Sequence, residues 1–72
     1  MIPKRFEVAI FNQEVKKAVR EAEKNRTGLS DDWADTRYIE VKADDAESAK
    51  AKILARYPAV RGFVVVEVRE VG

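Results

Sequence analysis

The spacing of the apolar residues changes repeatedly along this short chain, and this feature constrains the fold most. Three segments alternate apolar and polar residues, and the two segments between them repeat their apolar residues at helical spacing. Alternation is typical of a half-buried strand, and the helical spacing is typical of an amphipathic helix. The order β-α-β-α-β is therefore predicted. With 72 residues, the chain makes one domain. We expect an α+β fold, a two-layer α/β sandwich whose two helices cover one face of a three-stranded sheet.

The predicted strands cover residues 5–11, 36–43 and 63–71. Each helix is long enough to link parallel strands, and the loop after the first also permits an antiparallel arrangement, so strand direction stays open. The side chains expected to face the helices are Phe6, Val8, Ile10, Ile39, Val41, Val64, Val66 and Val68.

The predicted helices cover residues 13–25 and 45–56. Asn12 is the expected N-cap of the first helix and Gly28 its C-terminal stop. Asp44 is the expected cap of the second, with Glu47 three residues later as in a capping box. The apolar stripes are Val15, Ala18, Val19 and Ala22 in the first helix, and Ala46, Ala49, Ile53, Leu54 and Tyr57 in the second. The segment 39–49 resembles the strand–cap–helix unit of many small bacterial and phage α/β domains, and this unit implies no activity.

Residues 26–35 form the longest predicted loop and contain Trp33, the one tryptophan. Ser30 is expected to cap a single turn that holds Asp31, Asp32 and Trp33. Trp33 either closes the open end of a small core or contacts a partner protein. The acidic residues of the loop lack the alternate spacing of a calcium loop, so no metal site is expected.

The second face of the sheet holds the candidate interface residues. The apolar side chains expected there are Phe11, Tyr38, Phe63 and Val65, and the charged ones are Arg5, Glu7, Glu40, Lys42, Glu67 and Arg69. Three interpretations remain open: a solvated face with paired charges, a protein interface, and a platform on which single-stranded RNA bases stack. Three carboxylates on the same face argue against the last.

A row of basic residues on the first helix is the candidate nucleic-acid site. Lys16, Arg20 and Lys24 lie at every fourth position. Lys4 is expected to lie near them and to belong to the same site. Like charges at this spacing repel by a few tenths of a kcal/mol per pair, which suggests a phosphate ligand or an acidic partner. A solvated helix face is the favoured interpretation of the row, and the net charge of +1 argues against general nucleic-acid binding.

Several chemistries lack their residues. The chain has no Cys and no His, which excludes thiolate and imidazole catalysis and the corresponding metal sites. No glycine-rich phosphate loop occurs, so neither an enzyme, a cofactor nor a small-molecule substrate is expected. The longest apolar run, residues 63–66, is too short for a membrane span. We expect a cytoplasmic protein.

The sequence therefore predicts a non-catalytic protein-interaction module. Ten alanines and ten valines dominate the apolar residues, so the core is thin, and small domains without disulfides or metals often need oligomerisation. A homodimer is the expected partnership and another protein its alternative. Weak nucleic-acid binding through the basic row and the sheet aromatics is the second hypothesis, and salt dependence distinguishes the two.

Overall fold

The computed structural model describes residues 3–71 and confirms the order β-α-β-α-β. Each 3₁₀ turn lies in a connection between these elements. The strands are β1 (Lys4–Asn12), β2 (Arg37–Ala43) and β3 (Phe63–Glu70), the helices are α1 (Gln13–Arg20) and α2 (Ala46–Arg56), and the 3₁₀ turns are Asp31–Ala34 and Ala59–Arg61.

The three strands form one antiparallel sheet in the order β2-β1-β3. This answers the question of strand direction. The first strand of the chain is the central one, and its inner positions Phe6, Val8 and Ile10 are buried. Since β2 and β3 both run antiparallel to β1, they are parallel to each other, and α2 links them across β1.

The main core lies between the sheet and α2. Ala49 and Ile53 are fully buried and belong to the same cluster as Phe6, Val8 and Ile10. One end of this core is closed by Trp33, Tyr57 and Phe63, whose ring centroids lie 5.1–5.3 Å apart in every pairing. Edge-to-face and tilted aromatic pairs at this distance add about 0.5–1.5 kcal/mol each beyond their buried area.

The inner face of β3 differs from the prediction because the strand contains a β-bulge. Ala9 pairs with Glu67 but Ile10 pairs with Val65, so Val66 is an extra residue without a partner. One extra residue reverses the alternation of side chains along a strand. Of the three valines assigned to the core, only Val68 packs against it.

The bulge also corrects two of the candidate interface residues. Phe63 is buried and Val65 packs against the core, so neither lies on the outer face where it was predicted. Val64, which pairs with Phe11, lies on that face instead, and Val66 is 57% exposed. Because residues 63–66 are all apolar, the alternation of apolar and polar residues gives no sign of the bulge.

Helix α1 is shorter than predicted. It ends at Arg20, and Ala22 takes the left-handed conformation with φ +54°. The amide of Glu23 donates to the Ala18 carbonyl at 2.8 Å and that of Ala22 to the Val19 carbonyl at 3.2 Å. These two bonds form a Schellman motif. Gly28 is therefore not the helix stop, and Val19, assigned to the core, is 49% exposed.

The cap of α2 is Asp45 rather than Asp44. The Asp45 carboxylate accepts a hydrogen bond from the Ser48 amide at 2.7 Å. Helix α2 begins one residue later than the prediction and ends at Arg56 as expected, one residue before Tyr57 and two before Pro58. The negative charge of Asp45 at the N-terminus of α2 also interacts favourably with the helix dipole.

The loop between α1 and β2 is ordered by Asn25. Its amide nitrogen donates to the Leu29 carbonyl at 2.7 Å and to Asp31 Oδ1 at 2.9 Å, and its oxygen accepts from the amide and hydroxyl of Thr27. Ser30 caps the Asp31–Ala34 turn as predicted, by accepting from the Asp32 amide. This turn contacts α1 and carries Trp33 onto the end of the core.

Candidate protein interface on the open face of the sheet

The strand register places a mixed set of side chains on the sheet face opposite α2, which we call the open face. A residue is assigned to the open face if it lies at an outward position of β1, or pairs with such a position, and does not belong to the core cluster. They are Arg5, Glu7, Ala9 and Phe11 in β1, Tyr38, Glu40 and Lys42 in β2, and Val64, Glu67 and Arg69 in β3, with Val66 at the bulge.

Apolar side chains occupy the middle of the open face and the end next to α1. Tyr38 is 66% exposed and Val66 57% exposed, whereas Phe11 and Val64 are half-buried. The exposures of Tyr38 and Val66 are large for apolar side chains, since burial stabilises such groups by about 25 cal/mol per Å² of apolar area. The placement of Phe11 and Tyr38 on this face agrees with the prediction.

Ala9 forms the floor of a depression in the open face. It pairs with Tyr38 on one side and Glu67 on the other, and their side chains leave it only 4% exposed. The depression measures about 380 Å³ and is also lined by Glu7 and Arg69. Because Ala9 is smaller than its neighbours, the depression above it has room for a side chain of another molecule.

Charged residues cover the far end of the open face, and two pairs of them interact across strands. Arg69 contacts Glu7 at 2.8 Å, and Arg5 lies 3.8 Å from Glu40. Exposed pairs of this kind contribute at most about 1 kcal/mol each. Glu67 takes no part in an ion pair within the described residues 3–71.

The structure divides the predicted basic row. Lys16 and Arg20 line one depression on α1 together with Phe11 and Lys17. Lys24 follows the end of α1 and lines a different depression. A row at every fourth position requires a helix that continues to residue 24, and the Schellman motif ends it four residues earlier.

Lys4 lies far from the rest of the predicted basic site. It opens β1, whereas α1 follows the other end of that strand. A strand of this length spans roughly 26 Å. The Lys4 ammonium lies 3.8 Å from Glu70. The structure therefore does not join Lys4 to Lys16 and Arg20.

Lys16 links α1 to the open face. Its ammonium lies 4.9 Å from the centre of the Phe11 ring, within the range of a cation–π interaction. Lys17 also lines this depression. Lys17, Val64 and Val66 are the members of this surface that sequence reasoning missed. The bulge, which placed Val64 and Val66 there, has no clear signal in the sequence.

Trp33 belongs to the aromatic cluster at the end of the core. It is half-buried against Tyr57 and Phe63, and the Arg37 guanidinium lies 5.1 Å from the centre of its ring. Part of its surface lines a shallow depression together with Tyr38. This position matches the first of the two interpretations of Trp33, a cover over the open end of a small core.

Within residues 3–71 no group of three or more His, Cys, Asp or Glu side chains is arranged to hold a metal ion. Asp31 serves the local structure of the loop, since its carboxylate accepts a hydrogen bond from Asn25. In the same part of the chain, no helix combines the length and hydrophobicity of a membrane span.

Comparison with known proteins gives no relative for this chain. No protein-family model matches it. Neither a curated protein nor a solved structure shows significant similarity to it.

Proposed function

We propose that this protein is a non-catalytic interaction module that forms a homodimer through the open face of its sheet. The observation that supports this most is the exposure of Tyr38 and Val66 on a face that α2 leaves uncovered. An apolar patch bordered by charged residues is the usual mark of a protein interface.

The size of the core favours self-association. Within residues 3–71, four of the ten buried apolar residues are alanines: Ala9, Ala18, Ala43 and Ala49. Domains of fewer than about 80 residues gain little net stability from a single core, and association is one way in which they gain more. A second sheet packed on the open face would bury Tyr38, Phe11 and Val66 from both copies.

The edges of the sheet are poorer docking sites than its face. On the edge strand β2, the Lys52 ammonium donates to the Lys42 carbonyl at 2.7 Å and occupies a backbone acceptor. The other edge strand, β3, contains the bulge at Val66, which twists and bends a strand. Lysines and bulges at edges oppose the addition of a further strand.

The area required is compatible with this small surface. A standard interface buries about 800 Å² of each partner. That is about one sixth of the accessible surface of 5175 Å². One face of the sheet together with the adjoining side of α1 is the region that could supply it.

Light scattering over a dilution series, at moderate and at high salt, tests the homodimer. We expect a dimer that largely persists at high salt, because apolar contacts do not weaken with added salt. The double variant Tyr38→Lys/Val66→Lys should be folded and monomeric. Val60→Lys is the matched control, since Val60 is 91% exposed and lies in the Ala59–Arg61 turn outside the sheet. A monomeric wild type at all concentrations would refute the proposal.

Nucleic-acid binding is the second candidate function, supported by the grouping of three basic residues beside one aromatic ring. Lys16, Lys17 and Arg20 surround a depression that also contains Phe11, and a cationic groove with an aromatic platform suits single strands. Titration with short RNA and DNA at two salt concentrations tests this candidate. Binding through phosphates must weaken steeply as salt is added.

A further inference from the structure

We infer that the depression above Ala9 on the open face is a binding site for one arginine side chain of a different protein. This inference goes beyond the proposed homodimer, because it names a second partner that would use part of the same face. The side chains that would contact the guanidinium group are Tyr38 and Glu67, which lie on opposite sides of the depression.

The shape of the depression suits a flat group. Its floor is Ala9, which pairs with Tyr38 of β2 on one side and with Glu67 of β3 on the other. Adjacent strands lie about 4.8 Å apart, so the backbones of Tyr38 and Glu67 are separated by roughly 10 Å. The depression measures about 380 Å³, and an extended side chain with a planar end can enter between its two sides.

The charges that line the depression leave one carboxylate unpaired. Its charged lining residues are Glu7, Glu67 and Arg69. The Arg69 guanidinium contacts Glu7 at 2.8 Å, whereas Glu67 takes part in no ion pair within the described residues 3–71. Two carboxylates therefore share one guanidinium group, and the lining keeps one net negative charge whichever carboxylate Arg69 contacts. A cation from another molecule would balance this charge.

The other charged residues of the open face leave this balance unchanged. Arg5 and Glu40 lie 3.8 Å apart and offset each other. Lys42 lies four residues from Tyr38 along β2, which is about 13 Å of strand. This distance exceeds the Debye length of about 8 Å at physiological ionic strength. The carboxylate of Glu67 is therefore the uncompensated charge that an incoming side chain meets.

An aromatic ring opposite a carboxylate favours arginine over lysine. Tyr38 is 66% exposed, so its ring is accessible from the depression. A guanidinium group stacks on an aromatic face, and its N–H groups donate to a carboxylate in a bidentate arrangement. The ammonium group of lysine is a compact, strongly hydrated charge without a planar face. Contacts to both Tyr38 and Glu67 therefore require the planar group.

The source of the arginine is another protein rather than a second copy of this chain. Arg5 and Arg69 are the arginines of this chain's own open face, and each already contacts a glutamate there. A second copy would have to break one of these ion pairs to supply the cation, and a different protein would not. Because the depression lies in the middle of the open face, the arginine ligand and a second copy would compete for this face.

Titration with N-acetyl-arginine amide, followed by NMR at a protein concentration where the dilution series shows monomers, tests the site. We expect saturable shifts of the Ala9 methyl and Tyr38 ring signals, and a dissociation constant at least about fivefold higher for N-acetyl-lysine amide. If the protein is dimeric at every concentration, the same titration should lower the mass measured by light scattering.

Two variants locate the site. Glu67→Gln removes the unpaired carboxylate, and Ala9→Leu fills the depression without changing a charge. Each should raise the dissociation constant of N-acetyl-arginine amide at least about fivefold. Glu70→Gln is the matched control and should leave this constant unchanged, because Glu70 is an exposed carboxylate of the same strand that pairs with the inward-facing Phe6.

The outcomes separate this inference from the homodimer. A monomer without saturable shifts at the depression, a dimer whose mass stays constant in the titration, or equal affinity of the wild type and Glu67→Gln would overturn the arginine site. Tighter binding of N-acetyl-lysine amide would overturn it as well. None of these results would refute the homodimer. A wild type that is monomeric at all concentrations and shows the expected shifts would refute the homodimer and support the arginine site.

Discussion

The side chain of Asn12 joins the start of α1 to the turn before β3 through its hydrogen bond to the Arg61 carbonyl. Asn12 is fully buried, accepts hydrogen bonds from the amides of Glu14 and Val15, and donates to the Arg61 carbonyl at 2.9 Å. Gly62 has φ +95°, and a Cβ added there would lie 2.9 Å from Asn12 Oδ1. One polar side chain thus caps the helix and holds the turn before β3, and these two elements border the apolar end of the open face.

Replacing Gly62 by alanine should destabilise the protein by about 2–3 kcal/mol. The left-handed conformation costs an L-residue roughly 1–2 kcal/mol, and the new methyl group would displace the Asn12 side chain and weaken its hydrogen bonds. Urea unfolding followed by circular dichroism measures the change. Gly28→Ala is the control, since Gly28 has φ +80° but open space around it. An equal loss of unfolding free energy in both variants would mean that displacing the Asn12 side chain costs nothing beyond the backbone conformation.

Replacing Ala22 by glycine should stabilise the protein. Ala22 has φ +54° at the end of α1, and glycine takes this conformation without the steric cost. After allowance for the greater entropy of glycine in the unfolded chain, a gain of about 0.5–1 kcal/mol remains. Ala51→Gly, at an exposed position inside α2, should instead cost about 1 kcal/mol. Thermal and urea unfolding of both variants checks the opposite signs.

The cap of α2 should make stability depend on pH. The pKa of Asp45 is lowered because its carboxylate accepts hydrogen bonds from the amide and hydroxyl of Ser48. A lowered pKa in the folded state stabilises the protein above the unfolded pKa, which is about 3.9 for aspartate. This contribution is lost as the pH falls through the folded pKa.

Unfolding free energies of the wild type and Asp45→Ala, measured from pH 7 down to pH 2, test this expectation. The difference between the two proteins should be largest near neutral pH and shrink below about pH 4. Asp44→Ala provides the comparison, because Asp44 precedes the cap and does not bond the helix amides. A difference that stays constant with pH would contradict the role of the Asp45 carboxylate.

Adjacent valines of β3 should respond oppositely to lysine. Val65 packs against the core, whereas Val66 is the exposed residue of the bulge. Val65→Lys would place an ammonium group against the core and should cost about 3 kcal/mol or more, but Val66→Lys should change the stability by less than about 0.5 kcal/mol. Urea unfolding at a concentration where both variants are monomeric separates these effects from dimer formation. Equal losses would place the bulge elsewhere in the strand.

Local patterns predicted most of the fold. The alternation in β1 identified Phe6, Val8 and Ile10 as core residues, and Asn12 and Ser30 are the caps that their side chains suggested. These features depend on residues close together in the chain, because a cap bonds amides two or three positions away. Element boundaries were less well predicted, as shown by the end of α1 at Arg20 instead of residue 25.

The sequence by itself determined which segments are strands and helices, since periodicity and capping are local. Only the tertiary structure decided which way the strands run and which valines of β3 face α2. Strand direction depends on long-range hydrogen bonds, and the bulge at Val66 arises from the pairing of β3 with a strand more than 50 residues earlier. A single unpaired residue reverses the side chains on one side of it relative to those on the other, so the open face, with Val64 and Val66 in place of Phe63 and Val65, could be defined only from the paired sheet.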